Sequence, residues 1–519
     1  MSTRTRWTLC CLLWTLACGG HDAELDQAIE QTGPAVGLDE QLLLISGPAR
    51  KAFLLDVARK RPAPSVRPIE LPYGALFAQR RREHDEALVL CAGRRDSADA
   101  RAEPATLSVI ESDGGTRNYE LGATPFDTLT QSDDGRFAVL YRSRERQGRT
   151  LQNVNELVVV DLDQRPSSPN AVTSKTPEGL AHAFTRAVIS PEIDVAGEPR
   201  RLLLLLSAAE ITIFDLGHLE RRGTIVELAQ SNGRMAQPSQ VLFGTGEPAL
   251  YVRGDGADDV FVFRLEPRSS EAELNDFRPT INPLGAGSVP KDIALFGPPG
   301  AQQLLVVSQD LQARVIDPRS GKTQLVTLPF APSRVWLFEA AAPGDSQVRQ
   351  RALLYSDKGQ TVVFMDLQNL SDRPERRLEV MTLPAEVKSL IELERSDTLV
   401  ATHAQGVTIL DLQQRTATPI MSDAPLENAL FDARTERLWV ATKSEPWVGT
   451  LDLVHGETGE VLLDEEVREM VPFFDAGRLA ILHPSSVGYV TFVDTSEPDR
   501  EHASSLRGFL LSGVLDGGK

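Results

Sequence analysis

The stretch Ile211-Thr-Ile-Phe-Asp215-Leu216 is a short run of β-branched and aromatic residues that ends at an acidic residue. Such a run, followed by a polar turn, is typical of a β-strand that a turn-forming residue stops. Similar runs recur at residues 52–56, 107–111, 158–161, 260–264, 314–317, 362–366, 407–411, 448–452 and 490–494. The chain is therefore expected to be a repetitive all-β protein.

A second apolar run precedes most of these strands. Such runs lie at 136–141, 201–206, 303–308, 352–355, 398–401, 437–441 and 478–482. Gly135 and Gly477 sit in tight turns just before two of them, where a positive φ is expected. A further strand upstream, as at 333–338, completes the sheet. The period of roughly 40 to 55 residues predicts a β-propeller of repeated four-stranded blades.

The number of blades follows less directly from the pattern. Ten marks indicate about 7–10 repeat units, and three arrangements account for them: hairpins inserted in long blades, one large ring, or two smaller propellers. The first unit, at 41–72, begins without an upstream strand, and the chain ends in the strand-like 506–512. Pairing of the two ends would leave no open edge, so one closed ring is favoured. The propeller domain is assigned to residues 40–519.

The first residues have the pattern of an export signal. Arg4 and Arg6 precede an uncharged, mostly apolar stretch that is too short to span a bilayer, so residues 1–17 are predicted to be a signal peptide. Ala17 stands directly before Cys18. This arrangement resembles the bacterial lipobox, although Thr15 departs from the usual Leu. A plain secretory signal is the alternative.

The lipobox resemblance implies that the leader is cut before Cys18 and that this thiol carries a diacylglyceryl lipid. It also implies a lipid-anchored protein of the bacterial cell envelope. By resemblance to enterobacterial sorting, in which an Asp after the cysteine favours the inner membrane, Gly19 implies the outer membrane, with either a periplasmic or a surface orientation. Residues 18–39 are polar and acidic and are assigned to a flexible tether.

The cysteines exclude a disulfide framework. Cys10 and Cys11 leave with the leader and Cys18 is lipidated, so Cys91 alone remains of four cysteines. Cys91 ends an apolar run, which favours a buried core thiol over a nucleophile.

The charge balance excludes one class of partner. Lys and Arg total 54 against 73 Asp and Glu, a net charge of −19. Such a chain repels phosphate backbones, so no nucleic acid partner is expected. After residue 17, the sequence contains no run of about 20 apolar residues that could span a membrane. The expected contact with the membrane is therefore through the lipid on Cys18.

Two turns carry a resemblance to known propellers. Ser132-Asp-Asp-Gly-Arg-Phe-Ala-Val-Leu140 resembles the Ser-Pro-Asp-Gly-Arg turn of YVTN and WD40-like propellers, and Asp317-Pro-Arg-Ser-Gly-Lys322 resembles the turn of the quinoprotein-like type. The resemblance covers residues 40–515 as an architecture. The tryptophans lack the periodicity that the resemblance to quinone-dependent enzymes would require, so no cofactor is expected.

No specific catalytic motif appears in the sequence. The nucleophile elbow Gly-x-Ser-x-Gly and the zinc-protease spacing are absent, and no two histidines stand at metal-ligand spacing, so no catalytic or metal residue is assigned. A propeller can still gather distant side chains at its axis, and His182, His403 and His483 are the candidates for such a site.

Two functions remain open from the sequence. The leading one is a non-enzymatic binding or scaffold lipoprotein that presents its propeller faces to a protein or glycan partner. One such resemblance is to the propeller lipoprotein of outer-membrane barrel assembly. The alternative is a propeller enzyme, a lyase or hydrolase, with an axial active site.

Overall fold

The chain forms ten four-stranded antiparallel sheets within the part that the structure describes, and the fold is a β-propeller. The structure is a computed structural model that describes residues 31–511, apart from 58–64, 95–100, 123–125, 143–152, 154, 178–182, 231, 269–273, 342–347, 369–377, 394–397 and 443–444. The all-β prediction is confirmed. Ten sheets lie at the upper end of the predicted 7–10 units, and we number them as blades 1 to 10 in chain order.

The strands of the first five blades are as follows. Blade 1 comprises β1 Val36–Leu38, β2 Gln41–Ser46, β3 Lys51–Asp56 and β4 Val66–Glu70; blade 2, β5 Ala75–Arg80, β6 Glu86–Cys91, β7 Ala105–Glu111 and β8 Thr116–Gly122; blade 3, β9 Thr128–Gln131, β10 Phe137–Tyr141, β11 Leu157–Asp161 and β12 Val172–Lys175; blade 4, β13 Arg186–Ile189, β16 Leu202–Leu206, β17 Glu210–Asp215 and β18 Thr224–Glu227, with an inserted hairpin of β14 Ile193–Val195 and β15 Glu198–Arg200; and blade 5, β19 Gln237–Phe243, β20 Ala249–Asp255, β21 Asp259–Pro267 and β22 Phe277–Gly285.

The other five blades follow the same order. Blade 6 comprises β23 Pro290–Phe296, β24 Gln303–Ser308, β25 Gln312–Ile316 and β26 Thr323–Thr327; blade 7, β27 Arg334–Ala341, β28 Val348–Tyr355, β29 Thr361–Asp366 and β30 Leu378–Thr382; blade 8, β31 Ser389–Glu392, β32 Thr398–His403, β33 Gly406–Asp411 and β34 Thr416–Met421; blade 9, β35 Leu426–Asp432, β36 Arg437–Thr442, β37 Trp447–Asp452 and β38 Thr458–Leu462; and blade 10, β39 Glu469–Phe473, β40 Arg478–Leu482, β41 Tyr489–Asp494 and β42 Ser504–Arg507. A 3-10 helix, Phe474–Ala476, follows β39.

Every recurring run of the sequence is the third strand of its own blade, and the runs upstream are second strands. The interpretation of some marks as hairpins inserted in longer blades is therefore wrong. The one inserted hairpin of the described residues, β14–β15, lies elsewhere, between the first two strands of blade 4. No described helix is long and apolar enough to cross a membrane.

The strands of a blade differ in their surroundings. All five residues of β16 are buried, and all six of β17, whereas β26 and β38 each bury one residue. Second and third strands need continuous apolar runs because neighbouring blades cover both of their faces. The fourth strand is the solvent-facing edge of the blade.

The acids that end the third strands hold the turns that follow. Asp411 Oδ1 accepts the backbone N–H groups of Gln413 at 2.9 Å and Gln414 at 2.6 Å. Asp317 Oδ1 accepts the N–H of Arg319 at 2.9 Å. The backbone also closes this turn, since the N–H of Gly321 donates to the Asp317 carbonyl oxygen at 2.8 Å, and the carboxylate adds an acceptor for an N–H that the backbone does not pair. The repeated acids are therefore structural.

The contacts of the chain divide it into two compact units. Unit 1 comprises Met1–Asp127, Asp161–Val172 and Asn428–Lys519, and unit 2 comprises Thr128–Val160 and Thr173–Glu427. Unit 1 contains blades 1, 2 and 10 and nearly all of blade 9. Unit 2 contains blades 4 to 8 and most of blade 3.

In unit 1 the first blade packs directly on the last one. Phe53 and Leu55 of blade 1 share a buried apolar cluster with Val490 and Phe492 of blade 10. The two blades approach closely at Gly37, where a Cβ atom would meet Val471 Cγ1 at 3.2 Å. The Glu469 carboxylate accepts the N–H of Ala35 at 3.2 and 3.3 Å. We call this contact the seam.

Two predictions about the chain ends need correction. The assigned tether, residues 18–39, overlaps β1, in which Val36 and Leu38 are buried, so blade 1 does have a first strand. The two ends also do not pair as strands, because each terminal blade takes its four strands from its own end of the chain and the seam is side-chain packing. The signal peptide 1–17 and Cys18 lie outside the described residues.

The seam predicts the cost of one core truncation. Phe53 is fully buried, and Phe53→Ala should lower the free energy of unfolding by about 3–5 kcal/mol, since it removes a large apolar side chain and leaves a cavity. Denaturant unfolding followed by circular dichroism measures the loss. The matched control is Val454→Ala, at a residue 54% exposed, for which about 0.5 kcal/mol or less is expected. Equal effects of the two substitutions would contradict the seam.

Candidate functional site

An open cleft in unit 1 is the larger of two concave sites described here. It has a volume of about 660 Å³ and is lined by turns of blades 1, 2 and 10. The turns are those between β1 and β2, β5 and β6, β7 and β8, and the 3-10 turn after β39. All of them lie at the same end of their blades. Each follows a first or a third strand, and these two strands run in the same direction in an antiparallel blade. We call this site the turn cleft.

Acidic side chains dominate the lining of the turn cleft. Five carboxylates and one guanidinium line it: Asp39, Glu40, Asp85, Asp113, Asp475 and Arg80. The formal charge of these six groups is −4. Positive groups are therefore attracted to this part of unit 1.

Arg80 joins two of the turns. Its Nη2 lies 3.1 Å from Asp39 Oδ1 and 3.7 Å from Asp85 Oδ1. The N–H of Asp39 also donates to Asp85 Oδ1 at 2.7 Å. These bonds connect blade 1 to blade 2, so Arg80, Asp39 and Asp85 have structural partners within the site.

The other three carboxylates have no cationic partner. Among the described residues, no ion pair involves Glu40, Asp113 or Asp475, and all three are exposed. Asp113 Oδ1 accepts only the N–H of Gly115, at 2.7 Å. These three groups are available to a ligand.

The turn that carries Asp475 is held from the neighbouring blade. Arg434 Nη1 donates to the carbonyl oxygen of Asp475 at 2.7 Å and also to that of Phe474. Gly477 ends the turn with φ 65°, a left-handed conformation that favours glycine. Pro472, which is exposed, and Phe474, which is half-buried, give the turn cleft an apolar floor. Asp475 is thereby fixed in place without a partner for its carboxylate.

Most of the polar side chains in the turn cleft are carboxylates. Its lining contains no histidine, cysteine or lysine. In the part of the chain that is described, no group of three or more His, Cys, Asp or Glu residues is arranged to hold a metal ion. The arrangement can attract and hold a cationic group over an apolar floor.

The predicted axial histidines are part of the blades themselves. His403 ends β32, is fully buried, and bonds the Glu386 carbonyl oxygen at 3.0 Å and Thr408 Oγ1 at 2.7 Å. His483 has the same surroundings in blade 10, with the Glu466 carbonyl oxygen at 2.8 Å and Thr491 Oγ1 at 2.9 Å.

In both blades the ring ties the segment before the first strand to the third strand. Both nitrogens of each ring are occupied by these bonds. His403 and His483 are thus structural, and neither lines the turn cleft. His182 lies outside the described residues.

Cys91 is a core thiol, as the sequence predicts. It is fully buried at the end of β6, and burial raises its pKa to about 12. A thiol with such a pKa stays protonated at neutral pH and is not a nucleophile.

A second, smaller pocket of about 190 Å³ lies in unit 2 beside the β14–β15 hairpin. Its buried Arg200 already holds three carboxylates, with Asp215 at 2.6 Å, Asp276 at 2.7 Å and Glu198 at 2.5 Å. A guanidinium so surrounded has little capacity left for an anion. This network ties blade 4 to blade 5 and has a structural role.

No feature of the sequence indicates the turn cleft. Its free acids come from three turns that are distant in sequence, at residues 40, 113 and 475. Acidic residues in turns are common and serve mostly to hold the turn. Only the packing of blade 1 between blades 2 and 10 brings these three together.

Comparisons with known proteins were made at the level of sequence and of structure. No protein-family model matches the chain, and no curated protein matches it. Among matching solved structures, dihydro-heme d1 dehydrogenase NirN in complex with DHE is 13% identical, with a TM-score of 0.42 over 68% of this chain and 70% of that chain. AztD of Citrobacter koseri is 11% identical, with a TM-score of 0.36 over 80% of this chain and 92% of that chain. Likeness at this level carries no functional argument.

The surroundings of His483 predict a pH effect on stability. Burial lowers the pKa of His483, although the nearby Glu465 and Glu466 oppose the shift and Arg507 adds to it. The folded state therefore favours the neutral ring, and its contribution to stability is lost as pH falls below the ordinary value of 6.5. His483→Gln should make the free energy of unfolding less dependent on pH across that range, as measured by denaturant titrations.

The control for this measurement is His455, which is exposed and paired with Asp452 at 3.1 Å. The hydrogen bond that His455 donates to the Asp452 carboxylate raises the pKa of His455, so this contribution to stability is present at low pH and lost as pH rises. His455→Gln should change the slope in the opposite direction. An unchanged slope for His483→Gln would contradict the buried, neutral ring.

Proposed function

We propose that this protein is a lipid-anchored binding module of the bacterial cell envelope, without enzymatic activity. On this proposal, Cys18 carries the lipid and the turn cleft binds a protein partner through Lys or Arg side chains. The observation that carries the proposal is the set of three unpaired carboxylates, on Glu40, Asp113 and Asp475, around one cleft.

The anchor is supported by the leader of the sequence. A positively charged start, a short apolar segment and Ala17 directly before Cys18 resemble a lipoprotein leader, in which Thr15 is the one departure from the lipobox. After lipidation, the membrane would hold the module by its N-terminus. A single acyl chain gives only reversible binding, and the two chains of a diacylglyceryl group match what stable anchoring needs.

The chemistry of the partner follows from the charges of the turn cleft. Three exposed carboxylates attract ammonium and guanidinium groups, and the apolar floor can cover the aliphatic stem of a Lys or Arg side chain. An uncharged glycan would leave these carboxylates unused. A basic protein segment therefore fits the cleft better than a neutral glycan does.

The enzyme alternative gains no support from the described residues. His403 and His483 are occupied by bonds within their own blades, and neither lines the turn cleft. The carboxylates of the turn cleft could act as acids or bases, and we assign them to binding because three of them are exposed and without a cation.

A charge-neutralised variant tests the turn cleft. Penta-lysine serves as the probe, and calorimetry measures its affinity for the protein. The triple variant Glu40→Gln, Asp113→Asn and Asp475→Asn should bind penta-lysine roughly tenfold more weakly, which is about 1.4 kcal/mol. Raising the salt from about 0.1 M to about 1 M should weaken binding to the unmodified protein, because the Debye length falls from about 10 to about 3 Å.

The matched control removes the same charge elsewhere. Glu120→Gln, Glu227→Gln and Glu460→Gln neutralise three exposed acids on outer strands. If the two triple variants weaken binding equally, the probe senses only the net charge of the protein, and the turn cleft is not the site.

A separate experiment tests the anchor. In cells of a bacterial host, the unmodified protein should sediment with the membranes, and Cys18→Ala should shift it to the soluble fraction, because the thiol that receives the lipid is absent. Fractionation followed by immunoblotting measures the distribution. A Cys91→Ala variant, which alters the buried thiol, is the control and should stay with the membranes. A Cys18→Ala protein that remains membrane-bound would contradict the anchor.

A further inference from the structure

The chain enters blade 1 at the end of the blade that lies opposite the turn cleft. Thr32 lies at the far end of β2 from the turn cleft: its N–H donates to the Ile45 carbonyl oxygen at 2.8 Å, and its Oγ1 accepts the N–H of Gly47 at 2.9 Å. Gln41, which lines the turn cleft, begins the same strand. Six residues of β2 separate the two places by about 17 Å, at about 3.4 Å per residue.

Further contacts fix the entry point close to the first strands of three blades. Gln31 Oε1 accepts a hydrogen bond from Arg468 Nη1 at 3.3 Å, just before β39. A Cβ atom on Gly33 would lie 3.5 Å from the Cα atom of Phe77 in β5. The chain therefore enters beside β1, β5 and β39 and not at the outer strands.

The length of chain before this point limits where a lipid on Cys18 can lie. Thirteen peptide steps separate Cys18 from Gln31, and they span at most about 45 Å even when fully extended. To pass around blade 1 toward the turn cleft, the chain would cross three strand spacings of about 4.8 Å and then follow the strand for about 17 Å. This path would use most of the available length.

We infer that the anchored protein turns its entry end toward the bilayer and presents the turn cleft away from it. This inference rests on the proposed lipid at Cys18 and adds the side from which the partner comes. A linker stretched to roughly two thirds of its full length along this path loses conformational entropy that the direct path keeps. The turn cleft then faces the aqueous compartment, so its basic partner is a soluble protein or one held on another surface.

Depth-dependent quenching tests this orientation on the full lipidated protein. Single cysteines are introduced by Pro48→Cys, in the turn after β2 at the entry end, and by Ser112→Cys, in the lining of the turn cleft. Each is labelled with the same fluorophore, and the protein is reconstituted in phosphatidylcholine vesicles that contain a nitroxide-labelled lipid. The protein without an added cysteine is the labelling control, since Cys91 is fully buried.

The inference predicts a larger fractional loss of fluorescence at position 48 than at position 112. Equal losses, or a larger loss at position 112, would overturn the orientation while flotation of the protein with the vesicles still supported the anchor. No loss at either position, together with a protein that does not float with the vesicles, would overturn the anchor and the orientation with it. The two failures are therefore distinguishable.

Discussion

The packing of second and third strands between neighbouring blades is the interaction on which this structure depends. Leu204 of β16 and Ile213 of β17 face each other within blade 4, and both belong to a buried cluster that continues into Phe261 of blade 5. Each blade thus obtains the cover of its faces from other blades. A blade alone could not bury its apolar surface, and the same dependence holds for other repeat proteins.

This dependence explains why the site is where it is. Rigid, buried strands end in short turns whose acids and glycines fix their shape, as Asp411 and Gly477 do. Neighbouring blades then place such turns side by side, and at the seam they enclose a cleft. Asp113 holds its own turn in the same way, through the N–H of Gly115. What distinguishes Glu40, Asp113 and Asp475 is that the three exposed carboxylates line one cleft, and none of them forms an ion pair with another described residue.

Much of the fold could be predicted because its signal is local and repeated. The third strands appear as apolar runs, nine of the ten ended by an acid and that of blade 5 by Arg264, and every one of them was recognisable in the sequence. The first strand of blade 1 was not, since β1 has three residues and its burial depends on blade 10. The packing of side chains at the seam was also not predictable, because it depends on contacts between the two ends of the chain. The sequence had instead predicted that the two ends pair as strands.

The candidate site could not be predicted, because no single segment contains it. His403 and His483 were predicted as candidate site residues, yet each bonds a carbonyl oxygen 17 residues earlier in the chain. The acids of the turn cleft were not predicted as site residues, since each has the sequence context of an ordinary turn residue. Distinguishing the two kinds requires the partners of each side chain, and these are set by contacts between blades.

The proposed binding module depends on its attachment to the membrane more than on any other feature. Mass spectrometry of the mature protein, extracted from bacterial membranes with detergent, tests that attachment directly. The account predicts an N-terminal peptide that begins at Cys18 and carries a diacylglyceryl group. A mature protein that begins at another residue would contradict the account, whether Cys18 is then unmodified or has been removed with the leader.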